Sequence, residues 1–281
     1  MTYARRVETA ISTSLVLNLA ALASLLPAAL VRWRREDARD GVFFVALTLA
    51  AIGPLAWAAS QLGGAWRTGF ATSLWITIAA TMVLFVFLAA ATRHAWRLAA
   101  LLLPYLFLLG MLATIWQRAP AAPIPENLPA GWLDAHIGFA VATYGLLTLA
   151  AVAGAAVFLQ ERALKAKHPT RLTRLLPAVA DSESLEIGLL YAAEAVLALG
   201  VLSGIGTQYL SGAGGLALDN KTLFSVAAFG VIAVLLLARR ISGLRGRRAA
   251  RWALIAYLLL TLAYPGVKFI TDVILGGAPL A

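Results

Sequence analysis

The sequence predicts an all-α fold, in which about eight transmembrane helices form the bundle of a polytopic membrane protein. Hydrophobic residues make up 61% of the 281 residues and charged residues only 13%, whereas a soluble domain of this size needs far more polar surface. The chain also contains long apolar stretches near the ~20 residues that a helix needs to cross a bilayer core of ~30 Å. The alternating ten-residue pattern of a membrane β-barrel is absent, so each stretch is predicted to be a helix.

The predicted spans follow one another with short connectors. The first resembles a signal peptide, but its apolar run is too long for an h-region and a basic flank follows it, so we interpret it as a helix. The seventh is close to the shortest length that crosses a bilayer. Together they predict a single integral membrane domain over 1–281, with a four-helix front half at 1–116 and a back half at 131–277. In chain order the spans are 9–31, 41–61, 70–92, 98–116, 135–159, 185–208, 222–238 and 252–275.

The basic residues predict the orientation of the bundle. Most of the 23 lysines and arginines lie in connectors one, three, five and seven, and the positive-inside rule places such connectors in the cytoplasm. Both termini are then predicted to face the periplasm of a bacterial inner membrane. This distribution also explains the net charge of +10, so we do not predict nucleic-acid binding. The chain contains no cysteine, which excludes disulfides, thiol catalysis and Fe–S ligation by this chain.

Three connectors have a composition of their own. Connector four, from Gln117 to Leu133, is rich in proline and is predicted to be extended and to lie outside. Connector five is basic, and we predict a surface helix around Pro169–Leu176. Connector six, Tyr209–Lys221, is rich in glycine. The tryptophans and tyrosines of the chain are interpreted mainly as interfacial anchors.

One histidine stands where it can bind a ligand. His136 opens the fifth span at the outer face, and a neutral imidazole there can ligate a metal or haem iron. Asp134 is a candidate to orient the ring, although it is not on the same helical face. Trp132 could stack on a flat ligand. The alternative is an ordinary interfacial histidine.

Charged residues inside the predicted spans are further candidates. Glu194 lies in the middle of the sixth span, where it must be protonated, paired or facing water. Lys268 and Asp272 are four residues apart on the last helix, so they can pair on one face, either for local neutralisation or as part of a relay. The segment Gly200–Gly204 contains two glycines and a serine, which predicts close approach of another helix.

The back half resembles the cytochrome c assembly protein family of the CcmC/CcsA type, and most closely its short HemX-like branch. The shared features are a helix opened by histidine, a basic connector with a Leu-Leu-Pro, a helix that ends in Ser-Gly, and a terminal Lys-Phe pair. The segments that carry the resemblance are HIGFAVATYGLLTLAAVAGAAVFLQERALK, RLLPAVADSESLEIGLLYAAEAVLALGVLSG, DNKTLFSVAAFGVIAVLLLARR and GRRAARWALIAYLLLTLAYPGVKFITDVILG.

The resemblance implies haem b held non-covalently at the outer face by two histidines. His136 matches the first of them, but the second position is occupied by Asn220, and asparagine does not ordinarily ligate haem iron. A haem bound here would therefore use His136 as its one axial ligand from these positions. Its propionates would need cations, for which Arg118 and Lys221 are the outer-face candidates.

We therefore predict a non-enzymatic membrane protein of c-type cytochrome biogenesis that binds or presents haem. Its predicted partners are the lipid bilayer, other cytochrome c maturation proteins of the membrane, and apocytochrome. Two alternatives stay open. One is a proton- or ion-coupled transporter of small molecules that uses Glu194, Lys268 and Asp272, and the other is a haem-free accessory subunit of a membrane complex, which Asn220 favours.

Overall fold

A computed structural model describes residues 2–34, 39–62, 67–120, 122–123, 130–210 and 220–276. Eight helices in this part of the chain are long and apolar enough to cross a membrane, which confirms the predicted helical bundle. The elements, in chain order, are α1 (Thr2–Arg34), α2 (Gly41–Leu62), β1 (Arg67–Thr68), α3 (Phe70–Ala91), a 3-10 turn (Ala95–Leu98), α4 (Ala99–Ile115), β2 (Ala122–Pro123), α5 (Ala130–Ala166), α6 (Arg171–Leu175), α7 (Val179–Leu210), α8 (Asn220–Ser242), α9 (Gly246–Thr261) and two π-helical turns (Leu262–Gly266 and Phe269–Ile274).

The helices of the back half are longer than the sequence predicts. The seventh predicted span, 222–238, is part of a helix of 23 residues, and α5 continues to Ala166, well beyond the predicted end at 159. Hydropathy identifies only the part of a helix that suits lipid. The charged ends of these helices extend into the connectors, where water and headgroups solvate them. The surface helix predicted around Pro169–Leu176 is confirmed as α6, which begins with a capping box formed by Thr170 and Thr173.

Helix α5 forms the centre of the bundle. In the apolar 18-residue segment of α5, 72% of the residues are buried, against 50% or less in the corresponding segment of every other spanning helix of the described chain. It packs against α7, α9 and α3, and small residues such as Ala150, Ala153 and Ala156 are fully buried on it. Because these side chains are small, the neighbouring helices can approach α5 closely.

The connectors separate into two groups at opposite ends of the bundle. We call the end with connectors one, three, five and seven the odd end, and the other the even end. At the odd end Arg32 is buried, donates to the carbonyl oxygen of Leu175 and lies over the ring of Trp96. At the even end β1 pairs with β2 in an antiparallel register. The helices therefore cross alternately, as the predicted topology requires.

Several sequence features lie outside the described residues. Two of the four prolines of connector four, Pro125 and Pro129, fall in 124–129, and the glycines of connector six fall in 211–219, together with Asp219. The division into a front and a back half at connector four stays a prediction.

Candidate functional site

His136 lies in the second turn of α5 at the even end, and its ring is directed at α7. Nδ1 is 2.9 Å from the hydroxyl oxygen of Ser203, and that hydroxyl is 2.9 Å from the carbonyl oxygen of Gly200, to which it donates. Because the single hydroxyl proton is used in this bond, the oxygen of Ser203 accepts the proton on Nδ1. In a neutral ring the lone pair then lies on Nε2, which is the atom available to a ligand.

The close approach of the two helices depends on glycine. A Cβ atom built on Gly204 would lie 3.1 Å from Cε1 of His136, and one built on Gly200 would lie 3.7 Å from Cβ of Phe139. The first distance is shorter than most contacts of a Cβ atom, so an alanine at Gly204 would require the imidazole to shift by a few tenths of an ångström. This confirms the prediction that Gly200–Gly204 receives another helix, and it identifies that helix as α5.

Trp132 lies one turn further out on the same face of α5. Its indole N–H is 3.2 Å from the carbonyl oxygen of Ser203 and 3.1 Å from the hydroxyl of Thr207, and its ring lies against Gly206. These contacts fix the ring against α7, while 39% of the residue stays exposed. Asp134, by contrast, is exposed, and the hydrogen bond that orients His136 is made by Ser203 instead.

The start of α8 lies beside this pair of helices. Gln208 lies one turn beyond Gly204 on α7, and its Nε2 is 3.4 Å from the hydroxyl oxygen of Thr222. Asn220 and Lys221 are therefore brought to the same end as His136, and both are exposed. No hydrogen bond joins Asn220 to His136 among the described residues.

Arg118 lies at the even end as well. It is exposed and follows α4, where the ring of Trp116 packs edge-on against Phe70 and Phe269. Arg118 and Lys221 both lie at this end of the bundle, and their role as cations for the propionates stays a prediction.

The intramembrane charges have two different environments. Both carboxylate oxygens of Glu194 are buried and have no hydrogen-bond partner in the described structure. Lys268 and Asp272 do pair, with Nζ 3.8 Å from Oδ2, as their spacing predicts. Asp272 also accepts a hydrogen bond of 3.0 Å from the backbone N–H of Phe70, and it therefore caps the first turn of α3.

Sequence reasoning missed two polar residues of α7. Ser203 was interpreted only as a small residue, because nothing in a single sequence shows which side chain of another helix it meets. Glu186 is fully buried against Gly154 of α5, and neither carboxylate oxygen has a hydrogen-bond partner among the described residues. It lies at the edge of the predicted span 185–208, where hydropathy alone does not distinguish a buried carboxylate from one in the connector.

Comparison with known proteins identifies the family. The family model described as cytochrome C assembly protein matches residues 42–275, so the likeness takes in α2, α3 and α4 as well as the back half. A protein of Azospirillum brasilense, described as an uncharacterized 28.8 kDa protein in a nifR3-like 5' region, is 54% identical over 270 residues, which are 94% of this chain and 100% of the relative. No solved structure matches the chain. By the extent of the family match, this protein belongs to the cytochrome c assembly protein family.

Proposed function

We propose that this protein binds haem b non-covalently through His136 and presents it at the periplasmic face of the bacterial inner membrane during c-type cytochrome biogenesis. Membership of the family supports a role in that process. The observation that carries the haem-binding part is the fixed imidazole, in which Nδ1 is engaged by Ser203 and Nε2 is left to a ligand.

The residues at this site would hold haem iron through one side chain, His136. Metal-ligating histidines usually donate their second ring N–H to a neighbouring acceptor, which fixes the tautomer and the ring orientation, and Ser203 is such an acceptor here. Asn220 offers no nitrogen lone pair comparable to imidazole, so it does not supply a second bond to iron. Haem held here would supply iron that can take a further ligand, while His136 would orient the group and Lys221 would offer a cation for a propionate.

An absorption spectrum of the purified protein tests the proposal. After expression with added haem, we expect a Soret band in the wild type and its loss in His136→Ala, because the protein ligand to iron is removed. His168→Ala is the matched control, since His168 is exposed at the odd end, and it should keep the band. A wild type without a Soret band, or a band that survives His136→Ala, would contradict haem binding at this site.

The substitution Asn220→His examines the second position. If Asn220 stands where the family holds a second ligand, a histidine there should convert the spectrum to that of six-coordinate low-spin haem. An unchanged spectrum would mean that position 220 does not reach the iron. It would not change the proposal that His136 is a ligand.

The predicted partners follow from the same process. We propose that apocytochrome and other maturation proteins of the membrane meet the chain at the periplasmic face, where His136 and Trp132 lie. The lipid bilayer surrounds the eight apolar helices.

A proton-coupled transporter is the second candidate function. Glu194 favours it, because a buried carboxylate without a hydrogen-bond partner is a common feature of intramembrane proton sites. Lys268 and Asp272 favour it less, since Asp272 is engaged in capping α3. For a transporter, Glu194→Gln should abolish proton-coupled flux in proteoliposomes, whereas haem binding should be unaffected by this substitution.

A further inference from the structure

A small groove lies at the odd end of the bundle, far from His136. Its volume is about 240 Å³, and it lies between the last turn of α5 and the short helix α6. Ala163, Leu164 and Pro169 supply apolar surface, while Lys167 and Arg174 supply two cations. Leu164 is 67% exposed, so the groove opens to the surroundings of the bundle and not into its core.

Hydrogen bonds from Gln160 and Arg171 hold α6 in place beside α5 and α1. The amide nitrogen of Gln160 donates to the carbonyl oxygens of Thr173 at 2.8 Å and Pro177 at 3.0 Å. Arg171 donates to the carbonyl oxygen of Trp33 at 2.7 Å, which fastens α6 to the end of α1. Because the amide of Gln160 is engaged in these bonds, Lys167 and Arg174 are the charged side chains of the groove that can contact a ligand.

The turn that carries Lys167 is itself unusual. Lys167 has a φ of +52°, a left-handed conformation that side-chain-bearing residues adopt only at some cost. The turn is closed by bonds of 3.2 Å from Lys167 N to Leu164 O and from His168 N to Ala163 O. The chain therefore doubles back at the end of α5, and the lysine is presented beside Arg174.

Among the described residues, the rim has no counter-charge. Within the part of the chain that the structure describes, neither Lys167 nor Arg174 forms an ion pair with a carboxylate, and both are exposed. The sequence between Arg162 and Ala180 contains no acidic residue. Glu161, the carboxylate next in sequence, is directed at Gly246 on the start of α9. Two cations over an apolar floor are complementary to an anion that also has an apolar part.

We propose that this groove binds the headgroup of an anionic phospholipid of the cytoplasmic leaflet. The groove lies where a spanning helix leaves the membrane, which is the depth of the lipid phosphates. Arg174 can engage a phosphate through two N–H donors and Lys167 as a point charge, and Leu164 and Ala163 contact the adjoining acyl chains. Basic pockets at the cytoplasmic ends of helices commonly hold such lipids.

Native mass spectrometry of the full chain tests this proposal. The protein is exchanged into vesicles of phosphatidylcholine with phosphatidylglycerol and then extracted mildly. We expect the wild type to retain phosphatidylglycerol in preference to phosphatidylcholine. In the double variant Lys167→Gln/Arg174→Gln the ratio of bound phosphatidylglycerol to phosphatidylcholine should fall by at least about tenfold, since both cations are removed. Arg245→Gln/Arg248→Gln removes the same charge from exposed positions of connector seven at the same end, and it should retain the lipid.

A second variant distinguishes lipid binding in the groove from a general attraction of anionic lipid to the basic end of the bundle. Ala163→Trp fills the apolar floor without altering any charge, and it should displace the lipid as the double variant does. The proposal would be overturned if Lys167→Gln/Arg174→Gln and Arg245→Gln/Arg248→Gln lost equal amounts of bound lipid. Retention of the lipid by Ala163→Trp would also overturn it. Displacement of the lipid by excess inorganic phosphate would identify a simple anion site and would also overturn it.

Discussion

The chemistry of the candidate site rests on one hydroxyl group. Ser203 donates to Gly200, which leaves its oxygen to accept from Nδ1 of His136 and favours the tautomer with the proton on Nδ1. The helix that holds Ser203 also holds Gly204, whose lack of a side chain makes room for the ring. Position and protonation of the imidazole are therefore set by α7, although the histidine itself belongs to α5.

Removal of this hydroxyl should change the histidine before any haem is added. In Ser203→Ala we expect the ¹⁵N NMR signals of His136 to change from the Nδ1–H tautomer to a mixture, because the acceptor that selects that tautomer is lost. Haem affinity should fall by about 10-fold, the lower end of the loss seen when a ligating histidine loses its hydrogen-bond partner. Ser203→Thr keeps the hydroxyl and should restore both properties.

The NMR signals of His168 serve as the internal control, since this histidine is exposed at the other end of the bundle. If the tautomer of His136 is the same with and without the Ser203 hydroxyl, the orienting role of Ser203 is wrong. That result would not by itself reject haem binding, which the spectrum of His136→Ala decides.

At the scale of helices, a cluster of hydroxyl groups joins α4, α5 and α9 inside the bundle. Tyr105 and Tyr257 are hydrogen-bonded to each other, Tyr257 lies 3.3 Å from the hydroxyl of Tyr144, and Tyr144 lies 3.2 Å from Thr261. Thr261 donates to the backbone of its own helix at 2.8 Å, so it accepts from Tyr144. The cluster therefore ties a helix of the predicted front half to two helices of the back half.

Loss of the central hydroxyl should loosen this junction. We expect Tyr257→Phe to lower the free energy of unfolding by about 1 kcal/mol, in the range measured for hydrogen bonds between membrane helices. Tyr209→Phe is a matched control, because Tyr209 is 66% exposed at the end of α7. Reversible unfolding in mixed micelles measures both. Equal stability of the two variants would mean that the cluster contributes nothing beyond packing.

The sequence predicted the helices well, but not the contacts between them. Length and hydropathy are properties of a single segment, so the spans could be located without knowledge of their neighbours. The tyrosines show the limit, because they were interpreted mainly as interfacial anchors, whereas Tyr105, Tyr144 and Tyr257 meet inside the bundle. The pairing of His136 with Ser203 depends in the same way on how two helices are rotated against each other.

For the whole molecule, helix packing and charge give separate information. The structure shows alternate crossings with an odd and an even end, and it would be the same whichever end faced the cytoplasm. Only the arginines and lysines distinguish the two sides, since they concentrate in the odd connectors and such residues are held on the cytoplasmic side during insertion. The proposals for haem and for lipid both require this orientation, because one site lies at each end.

Cysteine labelling in intact cells decides the orientation cleanly, since the chain contains no cysteine of its own. We expect Gln61→Cys and Tyr209→Cys, both exposed at the even end, to react with a maleimide that cannot cross the inner membrane. Lys165→Cys and Ser242→Cys, both exposed at the odd end, should react only after the membrane is permeabilised. The four variants act as controls for one another, because each pair should behave alike. The reverse pattern would place His136 on the cytoplasmic side, where haem could not be presented to apocytochromes in the periplasm, and it would move the basic groove to the leaflet opposite the proposed lipid.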